Sequence, residues 1–200
     1  MDPASFARAR EVEMQFFRSM RVYDKVLRAQ AMKAGKKAVG TRGIDVNKGD
    51  LVNPGIRSRL VAQDFKVKYD GREDLFAATL PLEALKLVIS DSATFCLSGN
   101  QKCVVTAGVT HAYFNAPGEA DIHVNIPPED LDDAETACDL VGKLHVSLSR
   151  TTEAAASWQG SVVNHMASLE FTRSLLRPTV HWDAHVDVKV PVHAHDHVRS

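Results

Sequence analysis

The spacing of apolar and polar positions divides the chain into segments of helical and of extended pattern. Residues 6–34 are charged and carry apolar side chains on an approximate helical face, which predicts an amphipathic helix or a helix pair. Residues 39–46 and 56–67 favour strands on either side of an Asn-Lys-Gly-Asp turn at 47–50, which predicts a hairpin rich in basic residues. Residues 81–96 and 152–171 have helical spacing again, the first with leucines on a face expected to be buried.

The remaining segments are shorter and mostly extended in pattern. Residues 103–109 form an apolar run compatible with a core strand, residues 121–126 alternate, and residues 141–148 favour a strand or turn. The alternating tail from 179 to 198 predicts two strands that could pair. This order of elements predicts an α+β fold, with helices packed on one face of a mostly antiparallel sheet.

Composition fits a chain that folds around its own core. The 200 residues are 44% hydrophobic, which allows one sizeable core or two small subdomains. The three cysteines, Cys96, Cys103 and Cys138, lack the Cys-x-x-Cys spacing of a zinc site and are expected to be reduced thiols. Without an apolar leader or an apolar run of membrane-spanning length, we expect an intracellular protein, cytoplasmic or nuclear, with no membrane partner.

Charge is distributed unevenly along the chain. Residues 1–69 contain 15 Lys and Arg against 7 Asp and Glu, a net of +8, whereas residues 70–200 contain 9 against 18, a net of -9. A basic half can attract phosphates and an acidic half can hold cations, which is the pattern of a metal-dependent nucleic-acid enzyme. Two ordinary solvated surfaces of different charge would give the same counts.

Five segments, read in order, resemble the reverse transcriptase of copia-type (Ty1/copia) retrotransposons. They are GTRGIDVNKGD at 40–50, RSRLVA at 57–62, DLFAAT with PLEAL at 74–85, AYFNAP at 112–117 and GKLHVSL at 142–148. The resemblance extends from about residue 11 to the end of the chain, and its specificity lies in the order and spacing of the segments.

The resemblance implies a right-hand polymerase fold, with fingers followed by palm. On this mapping residues 1–35 form an N-terminal helical segment, residues 36–80 the basic fingers hairpin region, and residues 81–200 a palm-like region truncated at its C-terminus. The implied partners are an RNA or DNA template-primer and a deoxynucleoside triphosphate, and the implied reaction is RNA-directed DNA synthesis by part of a Pol polyprotein.

Several nucleotide-binding and nucleic-acid-binding positions follow from the same resemblance. Arg59 corresponds to the residue that contacts the incoming triphosphate, a task suited to a planar guanidinium. Tyr113 corresponds to the aromatic side chain beneath the sugar, and a core aromatic at a turn is the alternative. Arg57, Lys66 and Lys68 add positive charge to the hairpin, which without the resemblance would be interpreted as a solvated strand face.

The metal site of the family is damaged in this sequence. Nucleotide addition needs two Mg²⁺ ions held by carboxylates, and the family supplies one aspartate before the AYFNAP segment and two in a later hairpin. Gly108 and His195 occupy the positions of two of these aspartates, and Asp196 is the surviving carboxylate. Because one carboxylate cannot assemble a two-magnesium clamp, we expect Asp196 to bind metal weakly and polymerase activity to be lost.

Histidines are concentrated in the last twenty residues. His193, His195 and His197 alternate, so a regular strand would place them on one face, where a transition metal could bind adventitiously. Asp196 would then point to the opposite face, unless a hairpin turn intervenes as the family mapping implies.

Three hypotheses for function remain open. The first is an inactive fragment of a retrotransposon reverse transcriptase with a degenerate active site. The second is a non-catalytic nucleic-acid-binding module that uses the basic hairpin. The third is an unselected product with no function.

Overall fold

The computed structural model describes most of the chain. The described residues are 3–33, 35, 37–50, 52–63, 77, 79–96, 98–118 and 121–192. The helices are α1 (Pro3–Ser19), α2 (Arg28–Lys33), α3 (Leu82–Asp91), α4 (Asp133–Thr136) and α5 (Ala154–Ser168). The strands are β1 (Tyr23–Leu27), β2 (Thr41–Asn47), β3 (Ile56–Ala62), β4 (His123–Asn125), β5 (Leu140–Leu144), β6 (Thr172–Arg173), β7 (Val180–Asp183) and β8 (Val188–Pro191).

The α+β class and the antiparallel pairing of the strands are confirmed, but the described strands form three small sheets instead of one. Their orders are β1-β5-β4, β2-β3 and β6-β7-β8, and every strand pair is antiparallel. The expectation of one sheet with helices on a single face was therefore wrong. The strands are only two to seven residues long, and elements from different sheets pack on different helices, with β3 on α1 and β8 on α3.

The N-terminal segment contains a strand that helical spacing did not indicate. Between α1 and α2 the chain forms β1, which pairs with β5 along its whole length, from Tyr23 opposite Leu144 to Leu27 opposite Leu140. A long-range partner outweighs a weak local preference here, because strand formation depends on cross-strand packing more than on intrinsic propensity.

The core lies between α1, the β1-β5-β4 sheet and the inner face of the β2-β3 hairpin. Its buried members are Met14, Phe17, Val22, Leu60, Ala62, Phe114, Val124, Leu144 and Leu148. Phe17 is 2% exposed, and its ring meets Phe114 edge to face at 4.9 Å. Glu13, Met14 and Phe17 form the buried side of α1, whereas the apolar Val12 is 60% exposed.

A buried carboxylate links the acidic segment between β4 and β5 to the first sheet and to α1. Asp130 accepts hydrogen bonds from Arg18 Nε at 2.6 Å and from the Tyr23 hydroxyl at 2.7 Å. Lys25 donates to the backbone carbonyl of Asp130 and pairs with Glu135 at 2.6 Å. Burial, together with the Asp130 hydrogen bond, raises the pKa of Tyr23, so its hydroxyl stays a proton donor.

A closed ring of four charges joins α3 to the β7-β8 hairpin. Asp91 pairs with Lys102 at 3.0 Å and with Lys189 at 2.7 Å, and Asp187 pairs with the same lysines at 2.7 and 3.3 Å. Hydrogen bonds from Lys189 and then Lys102 lower the pKa of Asp91, and a hydrogen bond to Asp187 raises the pKa of Lys102. The ring links α3 to the β7-β8 hairpin, although little of this helix is buried.

Two segments differ from their expected structures. Residues 103–109 form no strand, and Val104, Val105 and Val109 are exposed. The helix α3 was expected to bury its leucines, but Ala84 is its one buried residue. None of the described helices is long and apolar enough to cross a membrane.

Candidate nucleic-acid interface

The hairpin predicted between residues 39 and 67 is present as β2 and β3, in a single register. Thr41 lies opposite Ala62 and Asn47 opposite Ile56. In the connecting turn the Asn47 side chain accepts hydrogen bonds from the amides of Gly49 and Gly55 at 3.0 and 2.9 Å. A Cβ at Gly49 would lie 2.1 Å from the carbonyl oxygen of Asn53, so this turn requires glycine there.

The base of the hairpin is anchored on both strands. The Ala62 amide donates to the Ser149 carbonyl at 2.9 Å, and the Thr41 hydroxyl donates to the Asn125 carbonyl at 2.8 Å. Just before β2, Val39 forms a parallel bridge with Val124 of β4. The hairpin therefore projects from the β1-β5-β4 sheet in a defined direction.

The inner face of the hairpin packs on α1. The Leu60 amide donates to Glu13 Oε1 at 3.3 Å, and Arg10 of α1 pairs with Asp45 at 2.7 Å. This Arg10 hydrogen bond, with a second from Ser58, holds the pKa of the Asp45 carboxyl below its usual range. The one acidic side chain of β2 is therefore neutralised on the inner side.

The outer face of the hairpin carries three arginines. Side chains alternate along a strand and cross-strand partners share a face, so Arg57 and Arg59 lie on the side opposite Leu60. Arg42, whose partner is Val61, lies on the same outer face. All three arginines are exposed, and none forms an ion pair within the part of the chain that the structure describes.

The outer face is suited to phosphates more than to bases. The other residues of this face are Ile44, Val46 and Val61. None of its six residues is aromatic, so it offers no ring on which a base could stack. Unpaired guanidinium groups retain all their donors for phosphate oxygens. The arrangement can hold a nucleic-acid backbone without reading its sequence. Lys66 and Lys68, predicted to extend this surface, lie outside the described residues.

The polymerase positions are not assembled into a site within the described chain. Gly108 is exposed in an irregular segment, and a Cβ added there would meet no atom within 4 Å. His195 and Asp196, with the rest of the histidine-rich tail, lie outside the described residues. The described residues contain no group of three or more His, Cys, Asp or Glu that could hold a metal ion.

Tyr113 lies in a short 3-10 helix, Ala112–Asn115, and is half-buried. Its neighbour Phe114 enters the core, which fixes the backbone of this turn. The packing of Phe114 therefore holds this turn in place. Such a turn is needed both if Tyr113 lies beneath a nucleotide sugar and if it is a core aromatic.

A pair formed by the buried carboxylate of Glu13 and the half-buried imidazole of His111, beside the hairpin, was not predicted. Glu13 Oε2 lies 2.9 Å from Nε2 of His111, whose ring stacks on Phe16 with the ring centroids 4.1 Å apart. Glu13 thus connects β3, through the Leu60 amide, to the turn that carries Tyr113. In the sequence, one glutamate on the apolar face of a predicted helix looks the same whether it forms such a link or is exposed to solvent.

A cleft of about 380 Å³ lies between α1, the inner side of the hairpin and residues 125–129. Several of its polar side chains already have partners, since Arg10 bridges Asp45 and Glu129 and the Thr41 hydroxyl donates to the Asn125 carbonyl. Groups already satisfied in this way offer little to a ligand, so the outer arginine face is the better candidate site.

Comparison with protein-family models, with curated proteins and with solved structures finds no match for this chain. The resemblance to copia-type reverse transcriptases therefore stays a proposal, supported by the order and spacing of the five segments.

Proposed function

We propose that the chain is a catalytically inactive fragment of a copia-type retrotransposon reverse transcriptase that retains nucleic-acid binding through the outer face of the β2-β3 hairpin. Two of the five segments that carry the resemblance lie in this hairpin, at 40–50 and 57–62. The right-hand fingers and palm architecture, with Mg²⁺, template-primer and nucleoside triphosphate as ancestral partners, belongs to the same proposal.

The observation that carries the binding function is the shared orientation of Arg42, Arg57 and Arg59. The three exposed arginines lie on the same face of an anchored hairpin, and the nearby carboxylate of Asp45 is turned to the other face and paired. An anchored face needs little ordering when it binds, which favours affinity. A binding module without polymerase ancestry would use the same surface, so this function does not depend on the lineage.

Loss of catalysis is proposed from the carboxylates alone. Two-metal chemistry requires ligands for both ions, and Gly108 supplies none at its position. His195 offers an imidazole, which suits zinc, copper or nickel better than magnesium.

The binding proposal is tested by titrating a labelled single-stranded oligonucleotide and following its fluorescence anisotropy at several salt concentrations. Three phosphate contacts predict a slope of about -2 for log K against log salt. Replacing Arg42, Arg57 and Arg59 by glutamate should weaken binding on the order of thirtyfold and remove most of that slope.

The matched control changes the same net charge at exposed cations elsewhere, through Arg8→Glu, Lys33→Glu and Arg173→Glu. This control should bind within about threefold of the unmodified chain, since distant surface charges are screened at about 0.1 M salt. Equal weakening by both triple variants would reduce the effect to net charge. Absence of salt-dependent binding by the unmodified chain would remove the hairpin function.

Primer extension tests the loss of catalysis. The unmodified chain should extend no primer with Mg²⁺ or Mn²⁺, and Gly108→Asp alone should not restore extension, because His195 still lacks a carboxylate. The open space around Gly108 means that Gly108→Asp leaves the fold intact, which circular dichroism can check. Extension above a no-protein background by the unmodified chain would contradict the proposed inactivity, and extension appearing only when His195→Asp is added would support the mapping of both positions.

A further inference from the structure

The β6-β7-β8 sheet is docked on the rest of the chain through little buried surface. Among residues 172–192, all of which the structure describes, Thr179 and His181 are buried, with 4% and 2% of their surface exposed, and every other residue is half-buried or exposed. Both buried residues are polar. A small sheet with so few buried apolar side chains is of the kind that opens locally at a low cost in free energy.

His181 faces a small cavity between this sheet and α5. The cavity has a volume of about 20 Å³, and its lining includes Trp158 and Val162 of α5 together with Thr179 and His181. Among the described residues, His181 is the one titratable group that lines it, and neither ring nitrogen has a partner in hydrogen-bonding geometry. A cavity of this size holds at most about one water molecule, so it cannot hydrate a charged ring.

The charged groups beside His181 oppose its protonation. Arg173 is its register partner on β6 and therefore lies on the same face of the sheet. In the turn before β7, the buried Nη1 of Arg177 has no hydrogen-bond partner among the described residues. Asp183 lies on the same face of β7, but its carboxylate accepts a hydrogen bond from the His185 amide at 2.8 Å and forms none with His181.

The neighbouring elements supply no counter-charge either. The register partner of His181 on β8 is Val190, and Lys189 lies on the opposite face. The one titratable residue of α5 is His165, which is exposed near the end of the helix. Burial, followed by the positive charge of Arg173, lowers the pKa of His181, and the backbone of Val190 offsets only part of this effect.

We propose that His181 is an acid-sensitive switch, which keeps the β6-β7-β8 sheet docked on α5 while its ring is neutral and releases the sheet when the ring takes up a proton. Release brings the imidazolium into water and away from the cavity that cannot hydrate it. This inference is independent of the nucleic-acid binding proposed above, because the β2-β3 hairpin takes no part in it.

The direction of the pH dependence follows from the lowered pKa. A histidine in water has a pKa of about 6.5, and the docked ring has a lower one, so the released sheet binds the proton more readily. Docking is therefore strongest above about pH 6.5, and each pH unit below it should shift the equilibrium towards the released sheet by up to about tenfold. The carboxylates of Asp91 and Asp187 do not titrate in this window, because hydrogen bonds from lysines lower their pKa values.

The test is hydrogen exchange of the full chain, measured by mass spectrometry between about pH 5 and 7.5 and corrected for the intrinsic exchange rate at each pH. The opening constant of peptides from residues 172–192 should rise by up to about tenfold per pH unit below about 6.5. In His181→Gln, whose side chain stays neutral, this rise should disappear. The matched control, His185→Gln, removes an exposed histidine from the same sheet and should leave the rise unchanged.

A constant opening in the unmodified chain, or an equal rise in His181→Gln, would overturn the proposal. So would an equal rise in peptides of the β1-β5-β4 sheet, which would mean that the whole fold opens, or loss of the rise in His185→Gln alone. Titration of the His181 ring by nuclear magnetic resonance does not depend on how the variant folds. Its pKa in the unmodified chain should lie below about 6.5, and a value at or above this would also overturn the proposal.

Discussion

Alanine in place of Phe17 is expected to lower the free energy of unfolding by about 3–5 kcal/mol, the range found when a buried aromatic ring is removed from a packed core. Phe17 is 2% exposed, and its ring contacts Phe114 edge to face and Tyr23 at a tilt, so α1 would lose its contacts with two other elements. Urea denaturation followed by circular dichroism measures the change, as a lower midpoint at unchanged slope.

The matched control for that change is Phe95→Ala, which removes the same atoms from a residue that is 69% exposed. It should alter the free energy of unfolding by less than about 0.5 kcal/mol. A similar loss for the two variants would mean that Phe17 does not hold α1 against the sheet and the hairpin as described.

The hairpin could be predicted because its signals are local. The apolar centre at 60–62, flanked by basic residues, and the turn residues at 47–50 indicate two strands and the turn that connects them. The two-residue spacing of Arg57 and Arg59 also places them on one face without any tertiary information. Assigning Arg42 to that face requires the register of the two strands. Gly43 lies opposite Leu60 on the inner face, so Arg42 lies on the outer face, and this register is set by how the hairpin packs on α1.

Elements that depend on distant partners were missed or misassigned. The strand β1 exists because β5, more than a hundred residues later, pairs with it. The valines of 103–109 have strand propensity, but no neighbouring strand pairs with them in the described chain, and the segment stays irregular. Helical spacing placed α3 correctly within residues 81–96 but could not indicate whether its leucines meet a partner, since periodicity reports a face and not what covers it.

The buried polar links were equally beyond the sequence. Glu13 and His111 are 98 residues apart, and Arg18 and Asp130 are 112 apart. Each residue alone is of a type that is usually solvated, so only the fold shows that these side chains contact one another. The need for glycine at position 142 is likewise not visible in the sequence, because it depends on a side chain that only the folded sheet brings against it.

Replacing Gly142 by alanine is expected to destabilise the protein by about 1–3 kcal/mol, through overpacking of the β1-β5 strand pair. A Cβ at this position would lie 2.7 Å from Cγ of Tyr23, so the ring would have to move. The ring is not free to move, since the Tyr23 hydroxyl donates to buried Asp130 at 2.7 Å. Displacing the ring therefore weakens a buried hydrogen bond as well as the packing.

Gly160→Ala is the matched control for this substitution, and it should change stability in the opposite direction. Gly160 lies inside α5, where an added Cβ meets no atom within 4 Å, so alanine should stabilise the helix by about 0.5–1 kcal/mol. The role of Tyr23 is isolated by repeating Gly142→Ala in a Tyr23→Ala background, where the clash is absent and most of the loss should vanish. Thermal unfolding of the four proteins of this cycle gives the coupling between the two residues. If Gly142→Ala were just as destabilising without the Tyr23 ring, the loss would come from the strand backbone and not from the packing of the ring.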